Sequence, residues 1–315
     1  MEPPQKIGLL LMAYGSPENL DDLEPYLLDV RGGRPIPPHL LAEIRKRYVL
    51  VGGRSPLLDL TRAQSAALEA ELNRRYTGQG AVFQAYVGMR HWQPRIREAV
   101  VQMKADGIRQ MVALVMTPHS SQMSTGAYFT RLEEAIQEFD TRLDVIRIES
   151  WYDHPGLIEA LAEQARAARG KFLVDPYVLF TAHSLPVRIL DMGDPYDVQL
   201  QRTAALLADR LGLAGGRWRF CYQSAGQSQE PWLGPPIEQV IVELAGAGET
   251  NILVVPVGFV CDHVEVLYDI DIAARQLAAD HGACLERSRS LNTTPLFIEA
   301  LADLVASHLP QRVAG

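Results

Sequence analysis

Residues 252–268 read ILVVPVGFVCDHVEVLY. A continuous apolar run rich in β-branched residues breaks at a proline and a glycine, then turns polar. Such a run predicts a strand buried on both faces of a parallel sheet, leading through a loop into a helix. Residues 111–128, MVALVMTPHSSQMSTGAY, repeat the plan with an apolar strand, a proline, a His-bearing loop and a helix carrying a tyrosine. A second pair behaves alike. GLLLMAYGSPENL (8–20) and YVLFTAHSLPVRI (177–189) share an apolar strand, an alanine, a ring side chain, a small residue and a proline. Two pairs in the same order point to an internal duplication.

Further strands are predicted at 83–89, 143–150, 218–224 and 284–290, with amphipathic helical stretches between, such as 61–76, 94–107 and 200–212. Strand–helix alternation throughout gives an α/β fold built on parallel sheets. The expected organisation is two similar halves, residues 1–155 and 156–315, joined near 151–176. Ligands of such sheets bind beyond the carboxyl ends of the strands. All four duplicated segments deliver their polar residues there, so a cleft between the halves is the expected site.

Composition narrows the function. The chain has 315 residues, 47% hydrophobic and 22% charged, ordinary for a globular protein of two domains. No apolar run reaches the roughly 18 residues that span a bilayer. The opening MEPPQKIGLLLMAYG lacks the basic region and cleavage site of a signal peptide. Three widely spaced cysteines, Cys221, Cys261 and Cys284, argue against a disulfide framework, a structural zinc or an iron–sulfur cluster. A reducing cytoplasm is the expected location. A net charge of −8 argues against a nucleic-acid binder. Within that acidic chain, residues 31–54 hold Arg31, Arg34, Arg45, Lys46, Arg47 and Arg54 against one acid, Glu43. A solvated helix face is the ordinary explanation of a charge run. The flanking glycines and prolines instead place Arg31, Arg34 and Arg54 in loops, where ligand contacts concentrate.

Two constellations carry chemistry. His183 ends a predicted strand, and the equivalent place in the other half holds Tyr14, also a potential metal or proton partner. If an α-helix starts near Asp262, then Asp262, Glu265 and Asp269 share one face, with His263 and Asp271 pointing elsewhere. A helix cap accounts for Asp262 but not for Asp269, two turns in and four residues from another acid. A row of carboxylates leading to a cleft suits a divalent cation, and one histidine with one carboxylate suits Fe(II), Zn(II), Co(II) or Ni(II). Zinc-peptidase, dinucleotide, P-loop and serine-hydrolase motifs are all absent. In CYQSAGQSQEPWLGPPIEQV (221–240), Trp232 reads first as a cap on the core.

Together, AYGSP, GGRSPL (52–57), GMRHWQP (88–94), TAHSLP, GDPY (193–196), YQSAGQ…PWLGP and PVGFVCDHVEVLYDID occur in the order found in the ferrochelatases, which the chain resembles over its whole length. The resemblance implies the chelatase fold, two Rossmann-like halves with a porphyrin cleft between them. It also implies His183 and Glu265 as the metal-site pair, Tyr14 facing the metal from the opposite side, and Asp269 in an outer acidic row. Arg31, Arg47, Tyr48, Ser55 and Tyr128 match positions lining the porphyrin and its propionates, and His91 matches a family histidine. Family members often place another acid one turn beyond Asp269, where this chain has Ala273. Tyr14 and the short N-terminus look like the soluble coproporphyrin III ferrochelatases of Gram-positive-type bacteria. A basic run suits coproporphyrin III, with four propionates, over protoporphyrin IX, with two. The expected substrates are therefore Fe(II) and coproporphyrin III, with protoporphyrin IX the alternative, no tightly bound cofactor and a monomeric chain. A cobalt or nickel tetrapyrrole chelatase and a non-catalytic porphyrin or haem carrier are the rival readings. A carrier would have no use for the acidic row.

Overall fold

A computed structural model describes residues 4–226, 228 and 230–310. Gln227 and Gln229 of the YQSAGQ loop lie outside the described residues. The chain divides into two compact units, Met1–Pro118 with Gln122–Trp151 and Asn292–Gly315, and His119–Ser121 with Tyr152–Leu291.

In the first unit, β1 (Gln5–Ala13), β2 (Ala81–Met89), β3 (Gln110–Val115) and β4 (Asp144–Ile148) form one parallel sheet in the order β2-β1-β3-β4. In the second, β5 (Tyr177–His183), β6 (Trp218–Gln223), β7 (Asn251–Pro256) and β8 (Cys284–Arg287) form another in the order β6-β5-β7-β8. The orders match strand for strand. β1 corresponds to β5 and β3 to β7, the two pairs whose sequences repeat.

Both sheets are covered on their faces by helices, which explains the unbroken apolar runs. Ile7 to Ala13 of β1 and Ile252 to Pro256 of β7 are all buried. Leu10, Met12, Ala113 and Val115 pack with Val100 and Met103 of helix Ile96–Ala105 and Phe129 and Leu132 of helix Thr125–Glu138. Each of these side chains except that of Ala113 contributes roughly 1.5–3 kcal/mol of burial. Among the described residues no helix is long and apolar enough to cross a membrane.

Two glycines let loops pass close to the strand ends. Gly15, after Tyr14, has φ +95°, and a Cβ there would sit 2.8 Å from the Trp92 nitrogen. Gly258, after β7, would place a Cβ 2.6 Å from that of Ala182, beside His183.

The division of the chain departs from the contiguous 1–155 and 156–315 read from the sequence. The closing helix Pro295–His308 belongs to the first unit. Arg75 reaches Asp303 at 2.5 Å, Gln64 Nε2 donates to the Asn292 carbonyl at 2.9 Å, and Phe297 stacks on Trp151. Its apolar stripe announces burial without saying against which sheet. Conversely, His119–Ser121 joins the second unit, where His119 meets Thr203 and Ser121 donates to Asp194.

Candidate active site

In the second unit the candidate residues gather where β5 and β7 end. His183 is the last residue of β5. Its carbonyl accepts the Tyr196 hydroxyl at 2.9 Å, and its Nδ1 donates to the Ser184 carbonyl. That bond fixes the tautomer and leaves Nε2 free of a proton in the neutral ring. Nε2 lies 3.7 Å from Glu265 Oε1. The other oxygen of Glu265 lies 3.6 Å from Nε2 of His263, whose Nδ1 donates to the Cys261 carbonyl at 3.1 Å. Two imidazoles thus flank one carboxylate, each held through a backbone carbonyl. The separations exceed a direct hydrogen bond. The Glu265 side chain is 39% exposed and that of His183 29%, so both are open to a reactant. His263, expected to point elsewhere, instead joins the pair because it precedes the helix and escapes helical spacing.

The helix itself differs from the expected one. It opens at Val264, and from Val266 to Ala274 it is a π-helix. The wider turn suits the spacing of its buried residues, Val266, Ile270 and Ala274, every four positions. Asp262, Glu265 and Asp269 therefore do not form one α-helical face. Asp262 stands before the helix and binds Arg287 at 3.1 Å and Ser290 at 2.7 Å. Asp269 accepts the hydroxyl of Ser224, a non-glycine residue held at φ +59° at the end of β6. Arg287 and Ser290 meet Asp262, the two histidines Glu265, and Ser224 Asp269. Among the described residues no group of three or more His, Cys, Asp or Glu is arranged to hold a metal ion.

The first unit brings a different set together. Tyr14, just past β1 and 41% exposed, lies with its ring 4.6 Å from that of His91. Arg90 lies over both Tyr14 and Tyr128, at 6.0 and 5.5 Å. His91 is buried and donates from Nδ1 to Asp29 at 2.9 Å, while Arg95 holds the other Asp29 oxygen at 3.0 Å. Burial lowers the His91 pKa against the opposing pull of Asp29, with the charge of Arg90 adding to the lowering. In the sequence Asp29, Arg90 and Arg95 each read as an isolated surface charge.

The remaining porphyrin candidates lie on other elements of the first unit. Tyr48 and Ser55 are buried, and Ser55 accepts the Leu57 amide ahead of helix Leu57–Arg75, a local turn role. Arg31 and Arg34 share one loop, each donating Nε to the other's carbonyl at 3.3 and 3.1 Å. Arg47 is half-buried at the last turn of helix Pro38–Leu50. The basic run is partly neutralised, since Arg54 pairs with Asp59 and Arg45 lies 3.9 Å from Asp21. Among the described residues no ion pair involves Arg31, Arg34 or Lys46.

The model of the ferrochelatase family matches residues 6–309. A ferrochelatase of Deinococcus radiodurans is 43% identical over 303 residues, covering 95% of each chain. A coproporphyrin III ferrochelatase of Geobacillus kaustophilus is 40% identical over 306 residues, covering 95% of this chain and 94% of its own. Among solved structures, SirB from Bacillus subtilis superposes with a TM-score of 0.57 at 11% identity, covering 99% of this chain and 96% of that one, a likeness of fold. With duplicated parallel sheets, strand-end His183 and Tyr14, and a family match across nearly its whole length, the chain belongs to the ferrochelatases, enzymes that insert iron into a porphyrin.

Proposed function

We propose that this ferrochelatase takes coproporphyrin III as its porphyrin, with Fe(II) as the metal substrate. The observation that carries the reading is the Arg31–Arg34 loop, two guanidiniums in no ion pair among the described residues of a chain of net charge −8. A substrate with four carboxylates gains more from such a loop than one with two. The name of the Geobacillus relative agrees.

Insertion removes two protons from the pyrrole nitrogens and replaces them with the metal. His183 Nε2, unprotonated in the neutral ring, accepts the two pyrrole protons one after the other, and Glu265 takes each onward. Tyr14 is a further metal partner, the role its motif carries in the family. Arg31 and Arg47 engage propionates, with Tyr48, Ser55, Tyr128 and His91 shaping the surface on which the macrocycle lies. Binding that bends the flat ring exposes its lone pairs, the expected source of acceleration.

Anaerobic mixing with Fe(II) and each porphyrin, followed through the Soret band, tests the choice. Coproporphyrin III shows the higher kcat/KM, with an advantage that shrinks as salt rises, because exposed charges are screened over about 10 Å at 0.1 M. Equal kcat/KM for both porphyrins at every salt concentration sinks the assignment.

A further inference from the structure

We propose that Arg287 is a positioning residue for Glu265, acting through the helix rather than on substrate. Arg287 closes β8, and its side chain is only 10% exposed. Its Nε and Nη2 grip both oxygens of Asp271 at 2.7 and 2.8 Å. Its Nη1 lies 3.1 Å from Asp262 and from the Ser290 hydroxyl, which itself donates to Asp262. One guanidinium therefore holds the chain just before Glu265 and again inside the π-helix after it.

The hold matters because of what lies between. π-Helices are rare and tend to occur as short segments at functional sites. Here the π-segment starts directly after Glu265, so the backbone carrying the carboxylate needs a tie from outside the helix. A planar arginine fork supplies direction as well as charge, which a lysine does not. Fixing Asp262 and Asp271 to one strand end fixes where Glu265 sits relative to His183 of the same unit. Supporting groups one step removed from a metal-handling side chain commonly govern its activity.

This inference rests on Glu265 acting in insertion, so Glu265→Gln is measured alongside. Arg287→Gln should lower kcat about tenfold while the porphyrin KM stays within about twofold. Arg287→Lys should recover only part of the loss, because it restores charge without the fork. Arg75→Gln, which breaks the arginine tie to Asp303 in the first unit, serves as the control for stability alone. It should lower the melting temperature and leave kcat at the wild-type value. A kcat loss in Arg287→Gln no greater than in Arg75→Gln at matched distance below Tm overturns the proposal. So does a raised porphyrin KM with kcat untouched. Should Arg287→Gln fail to fold, Asp271→Asn, which releases only the bidentate grip, must show the same kcat-selective loss, and a normal kcat there overturns it. Normal turnover in Glu265→Gln removes the underlying reading as well. Loss in Glu265→Gln with normal turnover in Arg287→Gln removes this inference alone.

Discussion

The ends of β1 and β5 occupy the same place in two sheets of identical strand order, yet they carry opposite chemistry. Past β1, Tyr14 meets a buried histidine and an arginine spread over two aromatic rings. At the end of β5, His183 faces an exposed carboxylate that a second histidine flanks. The first set is aromatic and cationic. The second pairs two imidazoles with one carboxylate, the set to which the proposed function gives proton transfer. Sheet order decides where polar groups emerge, and the loops decide what they do.

The largest expected effect breaks the second set. His183→Ala should lower kcat about 100-fold or more, the scale of a lost general base, while porphyrin affinity measured by fluorescence quenching persists. Tyr14→Phe should cost less, since it spares the proton acceptor. An equal loss in both variants would erase the division between the two strand ends.

Next comes the acidic row. Glu265→Gln should reduce kcat strongly, the amide keeping shape while losing charge. Asp269→Asn should act mildly and mainly at low Fe(II), because its carboxylate is engaged by Ser224. Asp262→Asn should cost stability before rate, through its contacts with Arg287 and Ser290 rather than through a helix cap. Steady-state kinetics with melting temperatures for the three variants check the order, and a flat or reversed one would return these acids to a structural role.

A smaller effect concerns the basic run of the first unit. Arg47→Ala should raise KM for coproporphyrin III several-fold, more than for protoporphyrin IX, with kcat nearly unchanged. Raising ionic strength in the wild-type protein should narrow the same gap. A variant whose two KM values rise equally would place Arg47 outside propionate recognition.

Much of this was legible in sequence because parallel strands buried on both faces leave continuous apolar runs, and the two repeats share them. The strand-end places of Tyr14 and His183 followed directly. What stayed hidden depended on contacts distant along the chain. Nothing near Asp262 signals that Arg287 and Ser290 will claim it, and nothing in the closing apolar stripe names the first unit as its home. The π-helix left one trace, apolar residues at 266, 270 and 274, which an α-helical reading absorbs almost as well. Helical spacing turns His263 away from Glu265, yet His263 precedes the helix and does not follow that spacing.

The smallest expected effect concerns acid stability and separates the units again. His119 is fully buried in the second, its Nε2 donating to Thr203 Oγ1 at 2.9 Å and its Nδ1 without a partner. Burial pushes its pKa down to about 3 from the ordinary 6.5. The folded state therefore keeps His119 neutral while the unfolded chain binds a proton below about pH 6.5. Stability tied to this residue is complete above that pH and falls as pH drops, by about 2 kcal/mol between pH 7 and pH 5. His119→Gln retains an N–H donor and removes the titration. It should lower stability at pH 7 through poorer packing, yet lose less on acidification than the wild-type protein does. Urea unfolding at the two pH values, read as the difference between the two proteins, measures the effect. Parallel losses in both would show that His119 does not titrate across the transition.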